Sequence, residues 1–367
     1  MTIMGSEAVD RSVSLTAQAL RRVAHLDWSS PAADLEWSCY DTAEHVAGDF
    51  TGYATQLTGR STTGYAPFDI KADPGTTPAG MIQVIEATGG LLSAAVAVTD
   101  PEVRAWHPYG MAGPDGFAAM GVVETLLHTH DILTGLGVHD WEPDADLCEQ
   151  VLVRLFPQAP RDAAPWPTLL WVTGRAELPG LPRRRAWRWY AEPVTTERLV
   201  LCEISPLVAG DLHEGGTGGF AWAEDGPGEG TRAAAGMVAK AREAGTHRPG
   251  WGPYAIVRTH DRRAIGGIGF HGAPDAEGNA EVGYDLVPSA RGNGYATEAL
   301  KGLAGWAFGQ PGLTALHARV DADNAASHGV VVRAGFERTG STEEGEARYA
   351  LRAEGAASLA PGGCPGR

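Results

Sequence analysis

Glu281-Val-Gly-Tyr-Asp-Leu-Val-Pro-Ser-Ala-Arg-Gly-Asn-Gly-Tyr-Ala-Thr-Glu-Ala-Leu300 passes from strand to glycine-rich turn to helix in one short run. Successive side chains of a strand point to opposite faces, so Val282, Tyr284 and Leu286 share one face and Glu281, Gly283 and Asp285 the other. Pro288 stops the strand, and a helix begins near Tyr295. A glycine-rich turn feeding a helix N-terminus offers free N–H groups and the positive end of the helix dipole. That combination suits an anion such as a pyrophosphate. Gly292 and Gly294 let the main chain come close to it, because no Cβ intervenes.

Outward from this stretch the chain reads as mixed α/β from Val194 onward. Strand-like segments are Arg198–Ile204, Tyr254–Thr259, Ala264–Phe270, Ala280–Val287, Ala315–Val320 and Arg348–Leu351. Helical ones are Thr231–Glu243, Ala296–Gly309 and Ala325–Ala334. The Gly/Ala/Pro-rich tail from Gly355 reads as disordered.

The first half is different in kind. Apolar residues at helical spacing predict helices over Val13–Leu26, capped by Ser12 or Ser14, and from an Asp41 cap to about Leu57. Further helices are expected over Pro78–Val98, Phe117–Leu133 and Pro143–Leu155, with Gly59–Thr77 as loop. Four or five amphipathic helices make a bundle. Pro157, Pro160, Pro165 and Pro167 break this pattern, and Leu169–Thr173 and Trp187–Tyr190 read as short strands. Arg183–Arg185 is a charge run of the kind that covers a solvated face. The expected fold class is therefore two-domain, α plus α/β: residues 1–193, 194–354 and a tail over 355–367.

Composition agrees. A chain of 367 residues, 43% hydrophobic and 20% charged, is long enough for two cores. Glu7, Asp10 and Arg11 interrupt any signal peptide. The longest apolar run, Gly89–Val98, is shorter than the roughly 20 residues of a membrane helix. A cytoplasmic protein without a membrane partner is expected. Cys39, Cys148, Cys202 and Cys364 form no CxxC pair, which argues against a disulfide framework or a thiolate zinc ribbon. The net charge of −16 repels phosphate backbones and excludes nucleic acid as a partner, while remaining compatible with a cationic amine.

With those residues in view, Arg291-Gly292-Asn293-Gly294-Tyr295-Ala296 resembles the Q/R-x-x-G-x-G/A pyrophosphate loop of the GNAT acetyltransferase superfamily. Asn324-Ala-Ala-Ser327, leading to Ala334-Gly335-Phe336, resembles its N-x-x-S and G-F hallmark. Thr196-Glu197-Arg198-Leu199-Val200-Leu201 is similar to the first strand of the branch holding ribosomal-protein N-terminal and several antibiotic acetyltransferases. The resemblance implies acetyl-CoA as cofactor, held by Val287, Arg291, Gly292, Asn293, Gly294, Tyr295, Ala296 and Asn324. It implies Glu281 as the base that frees the amine and Ser327 as the acid for the departing thiolate, with Asn324 on the pantetheine arm or on Ser327 itself. A polar strand residue and a helix cap are the plain alternatives for Glu281 and Ser327. The implied acceptor is a primary amine of a small metabolite or antibiotic, with a protein N-terminus or lysine as rival. The acceptor pocket is expected in Gly210–Gly252 and around Asp275, and a homodimer is compatible with the family.

Glu124 and His128, four apart, share one face of a predicted helix, and His45 lies on another. One carboxylate and two imidazoles can form a three-ligand zinc site with its fourth position open, with Asp131 behind it. A surface ion pair explains the same spacing. Trp37-x7-His45 with Glu124-Thr-Leu-Leu-His128-Thr-His-Asp131 resembles the N-terminal domain of mycothiol-dependent maleylpyruvate isomerases, in the DinB-like superfamily, over about residues 12–155. That resemblance implies a divalent metal on His45, Glu124 and His128, presented to a low-molecular-weight thiol. Those isomerases add their own C-terminal domain with a catalytic arginine, where this chain has the GNAT-like half. Acetyl transfer, a thiol-dependent metalloenzyme of S-transferase or isomerase type, and a non-catalytic binding module are thus the three functions to separate.

Overall fold

The computed structural model describes residues 4–352 except 161, 185, 186, 188, 191, 192 and 224. The tail and Cys364 lie outside them. The chain divides into two compact units, Met1–Phe156 with Asp162–Glu192, and Pro157–Arg161 with Pro193–Arg367.

The first unit is helical: α1 Ser6–Arg21, α2 Cys39–Gly59, α3 Pro78–Val98, α4 Pro114–Gly135, α5 Ala145–Leu155 and α6 Pro165–Val172. α1, α2, α3 and α4 pack on one another around Leu20, Phe50, Met81, Ile85 and Met120, all buried. Helix starts differ from the sequence expectation for local reasons. Gly5 stands at the N-cap of α1, while Ser12 is buried inside the helix with its hydroxyl donating to the Val9 carbonyl at 2.8 Å. Ser38, not Asp41, caps α2. The Asp41 N–H donates to Ser38 Oγ at 3.0 Å and its carboxylate accepts in return, a reciprocal capping box. α3 as a whole, rather than Gly89–Val98 alone, is long and apolar enough to cross a membrane, but half of that window is buried inside the unit.

The short strands expected at the end of this unit are absent among the described residues. Leu169–Val172 belongs to α6, whose Pro165 occupies the first turn, where a missing N–H costs nothing. An unbroken apolar run has no period, so strand and buried helix look alike in sequence. Trp187 and Trp189 lie in irregular chain with their rings 5.9 Å apart.

The second unit is an eight-stranded sheet: β1 Val194–Thr195, β2 Leu199–Glu203, β3 Pro253–Arg258, β4 Ala264–Phe270, β5 Asn279–Leu286, β6 Ala315–Val320, β7 Glu337–Ser341 and β8 Ala347–Arg352. Its order is β1-β2-β3-β4-β5-β6-β8-β7. Every neighbouring pair is antiparallel except β5 and β6. Four helices accompany it: α7 Pro206–His213, α8 Glu229–Glu243, α9 Tyr295–Phe308 and α10 Ala325–Arg333. β4 is buried along its whole length. Val282 of β5 shares a core with Leu300 and Leu303 of α9, while Asp285 bonds Thr231 of α8. By alternation α8 and α9 therefore cover opposite faces of β5.

β5 and β6 stay together for three residue pairs only, Asn279–Ala315, Ala280–Leu316 and Glu281–His317. On its other side β5 remains paired with β4 through to Leu286. The sheet consequently opens into a wedge after Glu281.

Candidate functional site

The wedge edge carries unused main-chain groups. The Glu281 carbonyl accepts from the His271 N–H at 3.0 Å, so the Glu281 main chain faces β4. The alternate residues Tyr284 and Leu286 present theirs to the side that β6 has left. Leu286 is met there by Arg291, whose Nε donates to its carbonyl at 3.0 Å.

At the end of β5 the chain makes one turn of 3-10 helix, Pro288–Ala290, and enters the glycine loop. Gly292 and Gly294 both have φ of +79°, the left-handed region that costs a residue with Cβ about 1–2 kcal/mol. This turn aims successive N–H groups the same way. Those of Gly292, Asn293, Gly294, Tyr295 and Ala296 donate to nothing among the described residues. Asp225 steadies the loop from outside, accepting from the Ser289 N–H at 3.0 Å and its hydroxyl at 2.8 Å. Val287 is the expected cofactor contact that turns inward: its side chain is buried and its N–H donates to Ile265.

The Thr196–Leu201 motif finds its physical role here. Glu298, in the first turn of α9, accepts from Thr196 Oγ1 at 2.6 Å, the Arg198 N–H at 2.7 Å and Arg198 Nε at 2.7 Å. The Arg198 guanidinium also donates to the Asn293 carbonyl and lies 4.7 Å from the centre of the Tyr295 ring. The turn between β1 and β2 thus clamps the loop and the start of α9.

Ser327 and Asn324 sit at the start of α10, where the Asn324 side chain accepts from the Ser327 N–H at 3.0 Å. That is a helix cap, and it leaves the Ser327 hydroxyl without a bond among the described residues. Tyr284, to which sequence reading gives no role, reaches toward the same place, its hydroxyl 3.4 Å from the Ser327 carbonyl oxygen. Burial raises the Tyr284 pKa, so the phenol keeps its proton.

Glu281 stands at the mouth of the wedge, partly exposed. Its carboxylate accepts from Arg319 Nε at 2.9 Å and lies 3.1 Å from His271 Nδ1. His271 also lines a cavity of about 670 Å³ on the α8 side of the sheet, with Ala234, Met237, Val238 and Trp251. Asp285 is the one carboxylate on that lining. It is engaged by Thr231 Oγ1 at 2.7 Å and the Gly267 N–H at 3.1 Å. The pocket expected in Gly210–Gly252 is thus built mainly from α8 and the chain after it. Asp275 stands apart, folded on its own turn with Asn279.

In the first unit, His45 of α2 and Glu124 and His128 of α4 bring their ligand atoms within 4.8 Å of one another. His128 Nε2 lies 3.0 Å from Glu124, and its Nδ1 lies 3.1 Å from Asp131. Arg175 grips Asp131 through Nε at 2.9 Å and Nη2 at 2.6 Å. A ring held this way at Nδ1 turns Nε2 toward the cluster, as metal-bound histidines are commonly held. The donor set and its buried support fit a divalent ion. Burial opposes a charge on His128, but Asp131 and Glu124 outweigh it and push its pKa up to about 9. Burial lowers the pKa of His45. Sequence reading passes over Asp49, whose carboxylate is 3.1 Å from His45 Nε2 one helical turn along α2. His130 turns away, its ring stacked edge-on against Trp166.

Residues 198–337 match the acetyltransferase (GNAT) domain family, and residues 9–133 match the mycothiol maleylpyruvate isomerase N-terminal domain. The chain joins these two domains. The uncharacterized N-acetyltransferase YoaA of Bacillus subtilis is 34% identical over 90 residues, 24% of this chain and 49% of the relative. YjdG of the same organism, also an uncharacterized N-acetyltransferase, is 33% identical over 87 residues, 24% of this chain and 52% of its own. This chain spans about half the length of the curated relatives it matches. Among solved structures, a GNAT-family acetyltransferase from Bacillus anthracis aligns at 20% identity and a TM-score of 0.32, over 44% of this chain and 99% of that one.

Proposed function

We propose that the second unit transfers the acetyl group of acetyl-CoA to a primary amine of a small molecule. The observation that carries this reading is the coincidence, along β5, of a wedge with a free main-chain edge and a loop of unpaired N–H groups. Pyrophosphate suits the loop, and an extended amide-bearing arm suits the strand edge. A thioester at the mouth of the wedge then lies beside the cavity, where a strand N–H can polarise its carbonyl. The amine lone pair attacks the carbonyl carbon, the C–N bond forms, and the C–S bond breaks with its electrons on sulfur. Tyr284 and Ser327 are the hydroxyls available to protonate the thiolate.

The cavity supports a small acceptor over a protein, since its volume lies within the range of about 300–1,000 Å³ usual for small-molecule sites. Its lining is mainly apolar, its one carboxylate is occupied and Arg248 adds a positive charge, which favours an amine on an apolar or aromatic body over a polycation. The test is acetyl-CoA consumption with a panel of such amines, polyamines, aminoglycosides and N-terminal peptides. Turnover confined to peptides would overturn the small-molecule reading.

For the first unit, the convergence of His45, Glu124 and His128 supports a bound divalent ion, with zinc suited to two imidazoles and a carboxylate. A cavity of about 460 Å³ lined by these three residues and Arg175 favours a thiol-dependent role for this unit as the second reading. Zinc analysis and thiol binding to the purified protein test both. No stoichiometric metal after reconstitution would leave the three as bundle residues.

A further inference from the structure

We propose that His271 is the group that takes the proton from the acceptor amine, and that Glu281 acts through it as a positioning residue. This rests on the acetyltransferase reading and deepens it.

Three observations meet at this side chain. First, His271 lies directly across from Glu281, its N–H bonded to the Glu281 carbonyl, so both side chains rise on one face. Second, its Nδ1 is 3.1 Å from Oε1 of the Glu281 carboxylate, the same oxygen that the Arg319 guanidinium holds at 2.8 Å. Third, its Nε2 hangs over Gly283. A Cβ built on Gly283 would lie 3.1 Å from that nitrogen. Gly283 is the second residue past the point where β6 departs, so Nε2 stands beside the wedge and on the cavity lining. It has no hydrogen-bond partner among the described residues.

The chemistry follows from the ring's two nitrogens. A carboxylate held by arginine accepts from Nδ1–H and fixes that tautomer, which leaves the Nε2 lone pair facing the cavity. Glu281 itself is a poorer candidate, since it does not line the cavity and the oxygen it turns toward His271, Oε1, is already held by Arg319. The incoming ammonium loses one proton to Nε2, and the freed lone pair attacks the thioester. As the amide forms, the nitrogen gives up a second proton. One proton ends on the coenzyme thiol and the other passes from the imidazolium to water. Glu281 steadies that imidazolium while it lasts. The charged or titratable groups around His271 are Glu281, Arg319 and Asp285, with His247, Arg248 and Tyr284 also on the cavity lining.

The test uses the full chain with acetyl-CoA and 2-phenylethylamine. His271→Gln is expected to lower kcat roughly 100- to 1,000-fold, in the range of a lost general base, with the acetyl-CoA Kd unchanged by calorimetry. It should also flatten the fall in rate toward acid. In His271→Ala, added imidazole should restore rate saturably. Glu281→Gln should lower kcat less than His271→Gln, with Glu281→Asp recovering part of the loss. Nitrogen-15 correlation spectra should show the neutral His271 ring as the Nδ1–H tautomer, and Glu281→Gln should shift that balance. A wild-type Nε2–H tautomer overturns the proposal, as does a His271→Gln rate within threefold of wild type. So does a Glu281→Gln loss larger than that of His271→Gln. A wild type that neither binds acetyl-CoA nor turns over the amine overturns the acetyltransferase reading itself, and this role with it.

Discussion

Replacing Gly294 by valine isolates what the glycine loop contributes. Gly294 sits at φ +79° and ψ 0° as the N-cap of α9. A Cβ there would meet only the Arg198 guanidinium, at 3.6 Å, which is ordinary contact. The cost of the substitution is therefore conformational rather than steric. A residue with Cβ in the left-handed region costs about 1–2 kcal/mol, and a β-branched one lies at the upper end. The loop can escape that strain by leaving the cradle geometry. Apparent affinity then falls by the fraction of molecules that keep it, which for about 1–2 kcal/mol is roughly 5- to 30-fold. Calorimetry of acetyl-CoA binding, with circular dichroism to verify folding, reads this directly. Gly292→Val should behave alike, since that site has the same φ and open space around it. Gly305→Ala, inside α9 with no positive φ and nothing nearby, should leave the Kd unchanged. A folded Gly294→Val protein whose Kd stays within twofold of wild type would refute the cradle.

Four further outcomes follow from the same geometry. Glu298→Ala strips acceptors from Thr196 and Arg198 and should destabilise the second unit by about 2 kcal/mol, the ion pair adding little because Arg198 is half exposed; denaturant titration measures it, and an unchanged midpoint counts against the clamp. Gly283→Ala should displace the His271 ring and lower kcat at least tenfold with the acetyl-CoA Kd intact, and an unaltered kcat would mean the ring does not work from that position. His128 has a folded pKa raised to about 9 against an unfolded value of about 6.5. In metal-free protein its stabilisation is complete below about 6.5 and is lost as pH rises through about 9, so melting should be lower at pH 10 than at pH 6.5. Zinc must displace that proton, so binding at pH 7.5 should release one, visible as a dependence of the binding enthalpy on buffer; the absence of release would contradict a protonated His128.

Much of this is legible in the sequence because it is local. Strand, turn and helix follow one another between Glu281 and Leu300, and a left-handed turn writes itself as glycine. Glu124 and His128 are visible because helical spacing alone puts them together, and the same rule pairs His45 with Asp49. What stays hidden depends on register or long range. Glu298 meets Thr196 and Arg198 across about a hundred residues. His271 gains its place only because the pairing of β4 with β5 sets it opposite Glu281. The Leu169–Thr173 run is ambiguous for want of any period, and the length of α6 is decided by packing. The wedge is a matter of where two strands stop pairing, and no residue pattern records that.

Asp285 ties the shape of the cavity to the strand that bears Glu281. A Cβ on Gly228 would come within 2.5 Å of its carboxylate oxygen, and one on Gly230 within 3.0 Å of its carboxyl carbon. The Gly-Glu-Gly-Thr stretch over 228–231 is thus a fitted socket, with Thr231 closing it. The consequence is one for descent with modification. As long as the socket persists, Ala234, Met237 and Val238 can drift and reshape the cavity while β5 keeps its geometry. One half-buried attachment thus separates the part of the second unit free to diversify from the part that is not.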